Sequence, residues 1–155
     1  MEKTIIIITL FSADKVRLDE DSVSRVLEGD YPVRVKSKIL AAIREIVRSA
    51  DKPCVVGFLP VIKENSSIGI SYKEDVTQDH YGDLALYLAP EAPCSIVSDL
   101  VSCPKEGNYT CREEIIRGND AIIIGDKCND WSPVVSCLDK AGANSVKCVS
   151  IIDNK

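Results

Sequence analysis

The sequence predicts a single α/β domain spanning residues 1–155, with a mostly parallel sheet flanked by helices. Three observations carry that expectation. The runs 4–11, 54–59 and 121–125 are continuously apolar or β-branched, the pattern of strands buried on both faces rather than on one. A strongly amphipathic stretch at 34–50 leads through a short Asp-Lys-Pro link into one of those runs, which is the helix-then-strand grammar of α/β folds. Residues 120–153, DAIIIGDKCNDWSPVVSCLDKAGANSVKCVSIID, read as strand, acidic loop, Ser-Pro helix start and second strand, a βαβ unit.

Taken in order, residues 4–11 form the first strand. The opening MEKTIIIITLF has some features of a secretory leader. Glu2, however, lies where such a leader is basic, and no small-residue cleavage site follows, so a buried strand is the better reading. Residues 21–27 suit a short, weak helix ended by Gly29. In the 34–50 helix, Ile39, Leu40, Ile43, Ile46 and Val47 make one stripe, with Lys38, Arg44, Glu45 and Arg48 outside it and Ser37 placed to cap. Pro53 breaks this helix before the 54–59 strand. Residues 62–82 are polar and the least regular part, with one short strand at 68–72. Residues 83–89 suit a short helix that Pro90 ends. A strand at 94–101 follows Pro93, then a PKEGNYT turn between Cys103 and Cys111, then a polar stretch to Asn119.

Composition narrows the function classes. At 155 residues and 45% hydrophobic content the chain has material for one real core. Its net charge of −5 argues against a basic nucleic-acid-binding face. No apolar run approaches the ~20 residues that span a bilayer, so a cytoplasmic protein with no membrane or nucleic-acid partner is expected. Seven cysteines, at 54, 94, 103, 111, 128, 137 and 148, include no C-x-x-C, and His80 is the one histidine; a zinc knuckle or ribbon does not fit. Cys54, Cys137 and Cys148 lie among apolar residues and read as core. Cys103 and Cys111 flank the turn, where a disulfide closing the loop competes with two free thiols. Such a bond is ordinary inside hyperthermophiles and rare in other cytosols. Asn65 and Asn108 match the glycosylation pattern by chance if the chain is not secreted.

The loop 126–132 is the candidate site, because ligands in open α/β sheets settle where a strand hands over to its helix. Asp126 and Asp130 could hold Mg²⁺ through waters; alternatively Asn129 and Asp130 form a turn and Ser132 caps the helix. Cys128 could be a reactive thiol, with Lys127 and the helix start lowering its pKa, or an incidental cysteine opposed by the two aspartates. Trp131 is a contact anchor if exposed and core filling if buried. No Ser/His/Asp grammar, phosphate-binding Walker sequence or dinucleotide glycine motif is present.

Three stretches together resemble the type I phosphoribosyltransferases, most nearly orotate phosphoribosyltransferase. AAIREIVRSADKPCVVGFLP resembles the family's helix, strand and pyrophosphate loop. APCSIVSDL with the turn after it resembles the next strand and flexible hairpin. CREEIIRGNDAIIIGDKCNDWSPVVSCLDKAGANSVKCVSIID resembles the phosphoribosyl pyrophosphate motif, its helix and the last strand. The resemblance covers most of residues 10–153. It implies a homodimer, a nucleotide or phosphosugar ligand, pyrimidine metabolism, and Asp126, Lys127, Asn129, Asp130 and Ser132 as the ligand-binding set, with Asp126 as the catalytic candidate if the chain is active. The departures point elsewhere. The family has two adjacent acids and then a Thr/Gly-rich loop. Here one acid, Asp126, sits between Gly125 and Lys127, and Trp131, Pro133 and Asp130 replace small residues where a phosphate cradle needs converging N–H groups. Phe58, Leu59 and Pro60 follow Gly57 where the pyrophosphate loop needs close backbone approach. YKEDVTQDHYG matches the family's Arg-Lys-x-x-Lys-x-His-Gly loop at Lys73 and His80 but precedes the strand it should follow, so His80 reads as a surface residue in a solvated loop. The expectation is a non-catalytic relative that binds a nucleotide-like or anionic ligand or acts through a protein interface. An active orotate transferase and a structural homodimeric subunit are the alternatives. No cofactor is required by this reading, with Mg²⁺ the one considered.

Overall fold

A computed structural model describes residues 4–11, 33–50, 53–89, 94–105, 108–126, 128 and 130–152 of the 155. The expected helix at 21–27 falls outside them, as do Lys127 and Asn129. In chain order the elements are β1 (Thr4–Phe11), α1 (Val33–Arg48), β2 (Cys54–Phe58), β3 (Ile62–Ser67), β4 (Ile70–Asp75), α2 (Thr77–Leu88), β5 (Ser95–Ile96), β6 (Val101–Lys105), β7 (Asn108–Cys111), α3 (Glu113–Ile116), β8 (Asp120–Gly125), α4 (Ser132–Lys140) and β9 (Ser145–Ile152).

Five of these strands form one sheet in the order β1-β9-β8-β2-β5, every pairing parallel. This is the α/β architecture with a mostly parallel sheet and flanking helices that the apolar runs predict, but the buried-strand reading of 4–11 is corrected, because β1 lies at the edge of the sheet with Ile5, Ile6 and Ile7 exposed. Both faces of the central strands are covered. Val56, Phe58, Ile122, Ile124, Val149 and Ile151 pack with Ile43 and Val47 of α1 and with Tyr81, Leu84 and Leu88 of α2. The alternate residues Val55, Ala121, Ile123, Val146 and Cys148 pack with Ile116 of α3, Val134 and Leu138 of α4, and Leu100 and Val101 at the start of β6. Side chains alternate across a strand, so two buried faces require an unbroken apolar run.

The 62–82 segment is more regular than its polarity predicts. It holds an antiparallel hairpin, β3–β4, registered from Ile62 opposite Asp75 to Ser67 opposite Ile70. Its two-residue loop has Ile68 at φ 53° and Gly69 at φ 73°. Almost every hairpin side chain is exposed, which removes the alternation that normally reveals a strand. Helix α2 then begins at Thr77, six residues before the predicted 83–89 helix. Asp75 Oδ1 accepts the Thr77 N–H (2.9 Å) and hydroxyl (2.6 Å), and Thr77 Oγ1 accepts the Val61 N–H (2.8 Å). A second bond, Val76 N–H to Val61 O at 2.9 Å, ties the hairpin base shut.

The 94–101 stretch is not one strand: Ser95–Ile96 forms β5, the chain then turns, and Val101 begins the β6–β7 hairpin. Gly57 explains the path, since a Cβ there would lie 2.7 Å from Leu100 Cβ, and the turn packs directly on β2.

The expected Cys103–Cys111 disulfide is corrected. The disulfides join Cys54 to Cys94 and Cys111 to Cys137, while Cys103, Cys128 and Cys148 remain thiols. Hairpin register is the reason. Cys111 stands opposite Val101, and the pairing shifts between Ser102 and Lys105, so Cys103 has no cross-strand alignment with Cys111. Cys54 and Cys137, read as core thiols, are disulfide-bonded; Cys148 is the buried core thiol expected of it.

Candidate functional site

The strand order locates the candidate site independently of any motif. From β2 the chain moves outward to β5, then returns through β8 and continues to β9 on the opposite side. The order therefore reverses between β2 and β8, and the crevice beyond the carboxyl ends of those two strands is where open α/β sheets receive ligands. It lies at Phe58–Leu59 and Gly125–Asp126.

That crevice is filled by the chain itself. Leu59 N–H bonds Ile124 O at 2.8 Å, extending the β2–β8 pairing by a residue. A Cβ at Gly125 would meet the Leu59 side chain at 3.0–3.1 Å and the Trp131 ring at 3.5 Å. Trp131 is 5% exposed, and its Nε1–H donates to Ser150 Oγ at 3.1 Å across the end of β9. Of its two sequence readings, core filling is the one realised. Glycine at 125 thus makes room for a leucine and an indole.

Asp126 follows, and each of its carboxylate oxygens has a partner. Oδ2 lies 2.8 Å from His80 Nε2, and Oδ1 accepts the Tyr81 hydroxyl at 3.2 Å, while the Asp126 N–H donates back to the same phenol oxygen at 3.1 Å. Helix α2 brings both partners there. Tyr81 is held by stacking on Phe58, ring centroids 4.6 Å apart and planes 9° from parallel. The His80 and Asp126 side chains are 5% and 12% exposed. The solvated-loop reading of His80 is thereby corrected, because the segment is a helix with its buried face on the sheet.

The start of α4 is also occupied. Asp130 Oδ1 accepts the Ser132 N–H at 2.9 Å. Hydrogen bonds from the Ser132 side chain and backbone hold the Asp130 carboxyl below its ordinary pKa. Ser132 is the first helical residue, with Trp131 before it at the cap position and Pro133 after it. Asp130, rather than Ser132, supplies the cap. The two aspartates bond different groups, and no cluster of three or more His, Cys, Asp or Glu suited to a metal occurs among the described residues. Cys128 departs from the reactive-thiol reading. Burial, opposed by a backbone hydrogen bond from Asp130 and aided by that residue's charge, pushes its pKa up.

A larger opening lies beside this filled crevice. A cleft of about 1010 Å³ runs between the β3–β4 and β6–β7 hairpins, lined also by Pro60 from the loop after β2. Burial raises the Tyr109 pKa, and charge on Cys103 and Cys128 adds to it.

No known family profile matches the chain, and no curated protein does. Among solved structures, the hypoxanthine phosphoribosyltransferase of Staphylococcus aureus, in an orthorhombic and a tetragonal crystal form, is similar with 16% identity and a TM-score of 0.46. The match covers 88% of this chain and 65% of those chains, so the chain spans about two thirds of the length of the proteins it matches.

Proposed function

We propose that this chain is a non-catalytic protein of phosphoribosyltransferase-like architecture, a binding module in which the transfer chemistry has been lost. One observation supports the reading above the others. Where a sugar phosphate would need free N–H groups at the start of α4, the Asp130 carboxylate already accepts the Ser132 N–H, and the Trp131 indole lies packed below it on Gly125 and Ser150. A second anion there would also meet the like charge of the exposed Asp130 carboxylate, which opposes it. Active transfer to orotate or another base would also need Asp126 to grip ribose hydroxyls, and its oxygens are already committed to His80 and Tyr81.

Isothermal titration with phosphoribosyl pyrophosphate and Mg²⁺ tests the proposal. Absence of micromolar binding, with no nucleotide formed over a panel of bases, is the expected result. Micromolar binding overturns it. A homodimer belongs to the same proposal, and light scattering at twice the 17.0 kDa chain mass is its expected outcome.

A further inference from the structure

We infer that the cleft between the two hairpins binds a small organic cation, an amine or guanidine carried on an apolar body, with Asp75 as its anchor. The inference rests on the reading above that the chain binds rather than transforms its ligand, and it moves the ligand away from the filled crevice.

The β3–β4 register sets one wall. Cross-strand partners share a face, so Ile62 with Asp75 and Glu64 with Lys73 stand together, and all four line the cleft. The carboxylates outnumber the ammonium on this wall, which disfavours phosphate or carboxylate ligands. Asp75 is the best placed of them. Its Oδ1 is held by two donors from Thr77, itself 4% exposed, so the carboxylate is oriented before any ligand arrives. Its Oδ2 takes no hydrogen bond from the described residues. Asp75 also lines a second opening, of about 510 Å³, with Asp99. Across the cleft stand Tyr109, Pro104 and the hydroxyls of Ser102 and Thr110. A lining that combines an oriented carboxylate, the Tyr109 ring and apolar surface from Pro60 and Ile62 matches a cationic head on a short hydrocarbon. The β6–β7 wall is tied to α4 through Cys111–Cys137, and the base of the β3–β4 wall is tied to the start of α2 through Val61 and Thr77. Both walls are therefore anchored to the body of the fold.

Agmatine, which carries both head groups on four methylenes, is the probe. Titration followed by ¹H–¹⁵N spectra at 150 mM salt should give saturable shifts at Asp75, Thr77 and Tyr109. Asp75→Asn keeps an oxygen for the Thr77 donors and should weaken binding about tenfold, the value of one charge-assisted hydrogen bond. Glu45→Gln, on the exposed face of α1, should leave it unchanged. Equal weakening by both variants would mean diffuse attraction to an acidic protein and would overturn the assignment, as would no saturation by 10 mM or tighter binding of adenosine monophosphate. Phosphoribosyl pyrophosphate titrated into the same sample separates the two ideas. Shifts confined to Asp126–Ser132 would refute the lost-chemistry proposal, whereas silence from agmatine alone would refute only this cleft.

Discussion

Replacing Trp131 by Phe keeps an aromatic ring over Gly125 and deletes the Nε1–H that reaches Ser150 Oγ at 3.1 Å. Both residues are nearly inaccessible, at 5% and 4% exposure, so water cannot readily take the missing donor's place. An unsatisfied buried hydroxyl costs about 1–3 kcal/mol. The smaller ring adds roughly 1 kcal/mol as a cavity, at ~24 cal/mol per Å³. Ser150→Ala leaves the indole N–H unsatisfied and should cost about 1–3 kcal/mol by the same reasoning. The double variant has neither partner and should be destabilised by less than the sum of the singles, by about 1 kcal/mol or more. Urea denaturation followed by far-ultraviolet circular dichroism measures all four proteins, since the chain has one tryptophan and the variant none. In heat, each kcal/mol should appear as a shift of about 2–4 °C for a chain of this size. Losses under about 0.5 kcal/mol for both singles, with additive behaviour in the double, would mean that the indole does not occupy the crevice. The lost-chemistry proposal would then lose its main support.

Four other outcomes are expected. His80→Asn should cost about 2–4 kcal/mol in urea denaturation, because it strips a partner from a mostly buried carboxylate; a change under 0.5 kcal/mol would deny the His80–Asp126 pair. The folded-state pKa of Asp130 lies below the ordinary 3.8. Its capping contribution is therefore complete above that value and is lost as pH falls through the lower folded value. A carboxyl ¹³C titration should find the midpoint below 3.8, and a midpoint at or above it removes the cap. Peptide mapping without reductant should recover Cys54–Cys94 and Cys111–Cys137 links and no Cys103–Cys111 link. Cys148, buried and with its pKa pushed up to about 12, should resist iodoacetamide at pH 8 until the protein unfolds.

The parts of the fold legible in the sequence are those where burial is two-sided. Ala121–Ile124 and Cys54–Val56 announce themselves because every residue must be apolar. The β3–β4 hairpin hides for the opposite reason, since a strand pair exposed on both faces has no pattern to display. Helix α2 was partly visible. Tyr81, Leu84 and Leu88 recur at helical spacing from a point well before Asp83, but Gly82 and the polar TQDH opening obscured it. Its early start also hid the partner of Asp126. His80 and Asp126 are 46 residues apart, and their pairing depends on how α2 sits against β8, a long-range fact that local pattern does not carry. Cysteine pairing failed for the same reason, because loop proximity favours Cys103–Cys111 while the hairpin turns Cys111 toward α4.

The contacts at the crevice act as a group. Leu59 and Trp131 share the space above Gly125, Trp131 is fastened to Ser150, and Asp130 closes the helix start directly beside it. Removing the indole alone would leave Leu59 free to relax into the space and Asp130 still opposed to an anion. Removing Asp130 alone would free one N–H over a filled crevice. Tyr81 stacks on Phe58, the residue before Leu59, so the packing at the β2 end also positions the donor that holds Asp126. Contacts that support one another in this way respond non-additively to substitution, so single replacements here should not open the crevice. The cleft beside it, lined by the β3–β4 hairpin after β2 and the β6–β7 hairpin after β5, stays open.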